Sequence, residues 1–268
     1  MLGIFVHDFM KNALWALILI TPLLGLLGTV VVESKLAFFS DALGHSALTG
    51  VALGTLLGIT EPTLSMVLFA LIFAYLLNVI RRSAVASSDT VISVFASTAI
   101  AAGLVFLSRS GNFNKFSGYL IGDILTIAAK DLLPLALLSF FVLLYWVLFY
   151  NDLLLISVSP LMASAKGTRV KLTQTVFMLV LAVVVMAAIR WVGVLMINSL
   201  LILPAAAARN VSRSTKTLTF LSLIFSLGSG IGGLALSYWW NSATGPTVAL
   251  CGAGLFFITF ALRGRVRR

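Results

Sequence analysis

The sequence predicts an all-α fold, a polytopic transmembrane helical bundle of eight or nine spans in which residues 1–268 form a single domain. Three observations predict it. The chain is 60% hydrophobic and only 10% charged, with a mean hydropathy of +1.12, whereas a soluble domain is about 25% charged. Apolar stretches of about 20 residues, the length that crosses a hydrocarbon core, recur along the whole chain. These stretches are continuous, which favours helices over barrel strands that alternate and run for only about ten residues.

Nine apolar segments follow in order, at about 13–32, 38–58, 62–80, 88–107, 131–150, 171–189, 191–208, 217–239 and 246–262. The first follows Lys11 and has no small-residue cleavage site ahead of a soluble domain, so it is expected to be a retained span. The second opens on the polar run Ser40-Asp41-Ala-Leu-Gly-His45-Ser46. The fourth begins after Ser87 and Ser88, where Asp89 is expected to cap the helix. Phe113 to Ile127 reads as a short re-entrant or surface piece, and Asp123 within it has no assigned role. The seventh is interrupted by Asn198, Ser199 and Pro204; proline removes a backbone donor and clashes with the carbonyl of Leu200, so this helix is expected to kink or break. In the eighth, Gly228 to Gly233 has the spacing of a dinucleotide-binding fingerprint, but without a strand before it or an acidic residue about 20 positions on it reads as helix packing. The single cysteine, Cys251, lies in the ninth without a partner for a disulfide or a thiolate cage.

The formal net charge of +10 does not imply nucleic acid, because the basic residues sit singly or in small groups at the ends of apolar runs. Arg81 and Arg82, then Lys166, Arg169 and Lys171, then Arg209, Arg213 and Lys216, and last Arg263 to Arg268, fall on alternate loops when nine segments are counted. Short basic loops stay in the cytoplasm, so the amino terminus is expected outside and the carboxyl terminus inside.

An ionisable group inside a span costs roughly 2.5–3.5 kcal/mol on insertion scales and so calls for a reason. Asp41 and His45 are spaced i, i+4 and share a helix face, where a carboxylate oxygen and an imidazole nitrogen suit a divalent cation such as zinc. A hydrogen-bonded pair that only stabilises the bundle has the same spacing. Two protein ligands fall short of the four of a structural zinc site, as befits an ion that must also leave. Gly50, Gly54 and Gly58 follow every four residues, a bare stripe for close helix packing. Asn198 and Ser199 either line a path or mark a kink satisfied by neighbouring helices.

The stretch at about 151–170 is the longest loop on the basic side. Ser159 suits an N-cap, Pro160 the first helical position and Gly167 the residue after the helix, which gives a surface helix of about two turns. Such a helix has the form of a docking knob.

Several runs carry a resemblance. Phe38 to Gly54 around Asp41 and His45, Gly118 to Asp123, Ser157 to Pro160 with Gly167, Val192 to Pro204 around Asn198, and Gly245-Pro246 together resemble the metal-ion class of ABC importer permeases, particularly zinc-uptake permeases of the ZnuB kind. They occur in that family's order across nearly the whole chain. The resemblance implies an inner-membrane homodimer of permeases enclosing one path, two cytoplasmic ABC ATPase subunits, and a periplasmic metal-binding protein. It implies a transported divalent metal, zinc in the first place, and no permanently bound cofactor. Asp41 and His45 match the acidic and histidine positions on the metal path, and Pro160, Ala163 and Gly167 fall in the loop that couples to the ATPase. Where zinc members carry Thr, this chain has Asn198. Manganese and ferrous iron accept the same ligands.

Two rivals fit less well. A stand-alone ion-coupled transporter needs coupling-ion carboxylates near mid-membrane, for which there are few candidates. A membrane metalloprotease lacks His-Glu-x-x-His, and the chain has no Gly-x-x-x-x-Gly-Lys-Ser/Thr with which to hydrolyse ATP itself.

Overall fold

Every regular element in the computed structural model, which describes residues 8–110 and 123–266, is helical. In chain order these are α1 (Asp8–Glu33), α2 (Ala37–Leu56), α3 (Pro62–Ser83), α4 (Ser88–Ser110), a 3-10 turn at Ile124–Thr126, α5 (Ala129–Val158), α6 (Pro160–Ala165), α7 (Val170–Val211), α8 (Thr215–Trp240) and α9 (Thr244–Val266). Among the described residues, seven helices are long and apolar enough to cross a membrane. Helix α2 is 20 residues long but falls outside that set, because Asp41 and His45 lower its hydropathy.

The 42-residue α7 is two spans in one. Its break is at Gly193, with φ 77° and ψ 163°, a conformation that side chains with a Cβ rarely adopt. This break lies close to the boundary expected between segments 171–189 and 191–208, whereas the further kink or break expected at Pro204 is not seen: Pro204 lies inside helix and is buried. Three contacts show the fold-back. Phe177 and Met178 line one cavity with Val30 near the end of α1. Arg190 meets Glu61, at the opposite end of the bundle, at 3.9 Å. Arg209 then returns to Glu33 at 3.0 Å. The segments expected at 171–189 and 191–208 are therefore the two limbs of α7, which with α2 makes nine long helical segments among the described residues, in line with the eight or nine spans expected.

Helix α1 and α7 form the centre. Of their most apolar stretches 72% and 67% is buried, against 22–39% in α3, α4, α5, α8 and α9, so those five expose apolar side chains outward as lipid-facing helices do. Small and hydroxyl residues join the helices. Ser222 Oγ donates to Gly25 O at 2.7 Å and Ser226 Oγ to Thr21 O at 2.6 Å, tying α8 to α1. Gly230 lies against Thr21, and Gly233 against Val248, whereas Gly228 meets nothing within 4 Å, so two of the three glycines at the fingerprint positions serve the helix contact that the sequence indicated. Thr49 Oγ1 donates to Ala99 O between α2 and α4.

Gly50 and Gly54 meet Met66 and Ser65 of α3, which is the close packing expected of them, but Gly58 does not pack. It ends α2 with φ 72°, its N–H bonded to Thr55 O while Ile59 N–H reaches Gly54 O. That is a Schellman cap. Asp89 is likewise not the cap of α4: Ser87 Oγ accepts the Thr90 N–H at 3.3 Å, and Asp89 sits in the first turn, where it favours the helix dipole. Asp123 has a role after all, since its Oδ1 accepts the Leu125 N–H at 3.0 Å and caps the 3-10 turn. The remainder of the piece expected at 113–127, including the Gly118 run, lies outside the described residues.

Candidate metal path

Helix α2 places Asp41 in its second turn and His45 one turn later. His45 Nε2 lies 3.5 Å from Asp41 Oδ1, and each side chain is about half exposed, 50% and 51%. The spacing has done what the sequence implied, with both groups on one face. That face opens on a cleft of about 710 Å³ lined by α2, the second limb of α7 and the start of α9, through residues that include Val194, Asn198, Ser199, Pro246 and Leu250. Most of the wall is apolar. Among the described residues no further His, Cys, Asp or Glu joins the pair to make a group of three.

Asn198 is brought to the same point. Its Nδ2 donates to Asp41 Oδ1 at 2.9 Å, while its Oδ1 is buried without a donor. Ser199 also lines the cleft, but its hydroxyl is turned to Met196 O at 2.9 Å. Asn198 is eleven residues before Arg209, about 16 Å at a helical rise of 1.5 Å per residue.

Gly44 is the residue that sequence reasoning missed. A Cβ there would stand 2.7 Å from Val194 Cγ1 and 3.2 Å from Asn198 Nδ2, so the bare backbone at Gly44 leaves room for Asn198 to reach Asp41 without displacing either side chain. Its position between Asp41 and His45 is a signal in the sequence, one less regular than the four-residue spacing of Gly50 and Gly54. The contribution of Pro246 and Leu250 could not be read from spacing, because α9 meets α2 only in the folded bundle.

At the basic end, α6 has the form the sequence specified. Ser159 Oγ accepts the Met162 N–H at 3.4 Å, Pro160 is the first helical residue, and Gly167 closes the helix at φ 89°. The Gly167 N–H bonds Ser164 O and the Thr168 N–H bonds Ala163 O, both at 3.0 Å. The loop expected over 151–170 is shorter than that, since α5 continues to Val158. Ala163 is wholly buried, whereas Leu161 and Met162 are 82% and 66% exposed. One face of α6 is anchored and the other is free.

Comparison with known proteins agrees with this architecture. The family model described as "ABC 3 transport family" matches residues 6–263. The high-affinity zinc uptake system membrane protein ZnuB of Haemophilus influenzae is 35% identical over 241 residues, 90% of this chain and 92% of that protein. The manganese import system permease protein ScaB of Streptococcus gordonii is 31% identical over 263 residues, 97% of this chain and 94% of that protein. A solved structure described as PsaBC from Streptococcus pneumoniae in complex with Fab superposes with a TM-score of 0.83 at 29% identity, covering 96% of this chain and 93% of the other. With a family model spanning nearly its full length and two curated relatives above 30% identity, this chain belongs to the ABC 3 transport family.

Proposed function

We propose that this chain is the permease subunit of an ATP-driven importer of a divalent metal ion, and that the ion is zinc. The observation that carries the proposal is a carboxylate oxygen and an imidazole nitrogen 3.5 Å apart in a mostly apolar cleft, the separation of two ligands on one small cation. Relatives named for zinc uptake and for manganese import support a metal importer. Imidazole in a two-ligand set favours zinc over the harder, oxygen-preferring manganese. Sparse ligation suits an ion in transit.

In this reading two copies pack with their clefts facing and enclose one path. A periplasmic metal-binding protein delivers the ion, and two ATPase subunits dock beneath α6, whose exposed Leu161 and Met162 offer an apolar knob. The basic end faces the cytoplasm of a cell with an inner membrane. Reporter fusions after Arg82, Arg169 and Arg213 are all expected to report cytoplasm, and a periplasmic signal at any one overturns the orientation. The metal is tested by uptake in a reconstituted complex with ions in competition. Excess unlabelled zinc is expected to suppress zinc uptake more strongly than equal manganese or ferrous iron; stronger suppression by manganese assigns the chain to manganese import instead.

A further inference from the structure

A second cavity, separate from the metal cleft, lies at the basic end of the bundle. It measures about 250 Å³ and is bounded by the corner between α1 and α2, the end of α3, the end of α5 and the first limb of α7. Its floor is apolar, with Val30, Ile156 and Phe177, and its polar lining includes Lys35, Arg81, Gln174 and Glu33.

The charges in it are unequal. Glu33 is opposed by the Arg209 guanidinium at 3.0 Å, an ion pair by distance in which the Glu33 oxygen accepts no aligned hydrogen bond. Arg81 is partly buried, and among the described residues its one hydrogen-bond contact is the Met178 sulfur at 3.9 Å, a weak acceptor. Its neighbour Arg82 is satisfied differently, donating to Lys171 O at 2.8 Å and Thr175 Oγ1 at 3.3 Å. Among the described residues, Arg81 is thus a cation at a cavity wall whose hydrogen-bond contact within the protein is to a thioether.

Lys35 adds a second cation at a conformational cost. It ends α1 in a Schellman cap, its N–H bonded to Val32 O and the Leu36 N–H to Val31 O, with φ at 56°. The equivalent position is glycine after α2 and after α6, at Gly58 and Gly167. A lysine there is sterically disfavoured, and its side chain contributes what glycine lacks, a positive charge at the cavity.

From these observations we infer that the cavity holds the phosphate of an anionic phospholipid from the leaflet at the basic end, between Lys35 and Arg81, with the adjoining chain over the apolar floor. Basic pockets between spans on the cytoplasmic side suit such headgroups. The apolar floor favours a lipid over a free anion. The site touches both the corner leading into α2 and Pro160 at the start of α6, so an occupied cavity braces the elements on either side of it.

The test uses the purified full chain in detergent, stripped of lipid and titrated with phosphatidylglycerol or phosphatidylcholine of matched acyl chains under native mass spectrometry. Phosphatidylglycerol is expected to bind preferentially. Lys35→Asn, which keeps a residue tolerant of positive φ, and Arg81→Gln are each expected to weaken it about fivefold, and the double variant about 25-fold. Circular dichroism on the same samples checks that the variants are folded; should Arg81→Gln fail to fold, Lys35→Asn alone carries the comparison. Equal binding of the two lipids, or unchanged selectivity in the folded variants, overturns the inference. Displacement of phosphatidylglycerol by millimolar inorganic phosphate also overturns it, since the site then takes a free anion.

Discussion

Asp41→Asn and His45→Ala are each expected to reduce metal uptake at least tenfold per assembled complex, with the complex still formed. Outer-shell partners of a bound metal already cost about 10–100-fold when lost, and these two groups are proposed as ligands themselves. Asparagine at position 41 keeps the size of the side chain and an oxygen able to accept from Asn198 Nδ2, so the junction of α2 and α7 survives while the charge is lost. The competing account is a structural pair, and it predicts the opposite pattern: poorly folded variants whose surviving copies transport normally. The geometry argues against that account. Both side chains are half exposed in the cleft, and an ion pair so placed contributes about 0–1 kcal/mol. Uptake normalised to the amount of assembled complex distinguishes the two, and unchanged uptake in both variants removes the metal from this pair.

Gly167→Pro and Ala163→Asp are expected to leave the permease in the membrane and to abolish its stimulation of ATP hydrolysis. Proline fixes φ near −65°, whereas Gly167 sits at φ 89° and donates its N–H to Ser164 O, so the cap of α6 cannot form. Aspartate at position 163 must place a carboxylate where a methyl group is wholly buried, at a cost of several kcal/mol unless α6 lifts off α5. Neither change touches a span, and insertion is therefore spared. The readout is ATPase activity and co-purification of the ATPase with the variant permease. Wild-type transport by either variant takes the coupling role away from α6.

The sequence alone determined the class of fold, a bundle of eight or nine spans, and the form of α6, because each rests on a local rule: the length of an apolar run, the i, i+4 period, and the residue types that start and stop a helix. It also determined that Asp41 and His45 share a face, since two residues one turn apart need no tertiary contact to meet. Local rules failed where two choices were locally equivalent. Pro204, read as a kink or break within the seventh segment, stays in helix and is buried, and the non-helical backbone of α7 is at Gly193, close to the segment boundary expected near 190. Gly58 matched the spacing of a packing stripe and became a cap, because α2 had already ended. The third member of the candidate site, Asn198, lies 157 residues from Asp41, and its approach depends on Gly44 leaving room for α7. The cavity at Lys35 and Arg81 draws its walls from five helices. Contacts of this kind are decided by how finished helices pack, and only the tertiary structure fixes that.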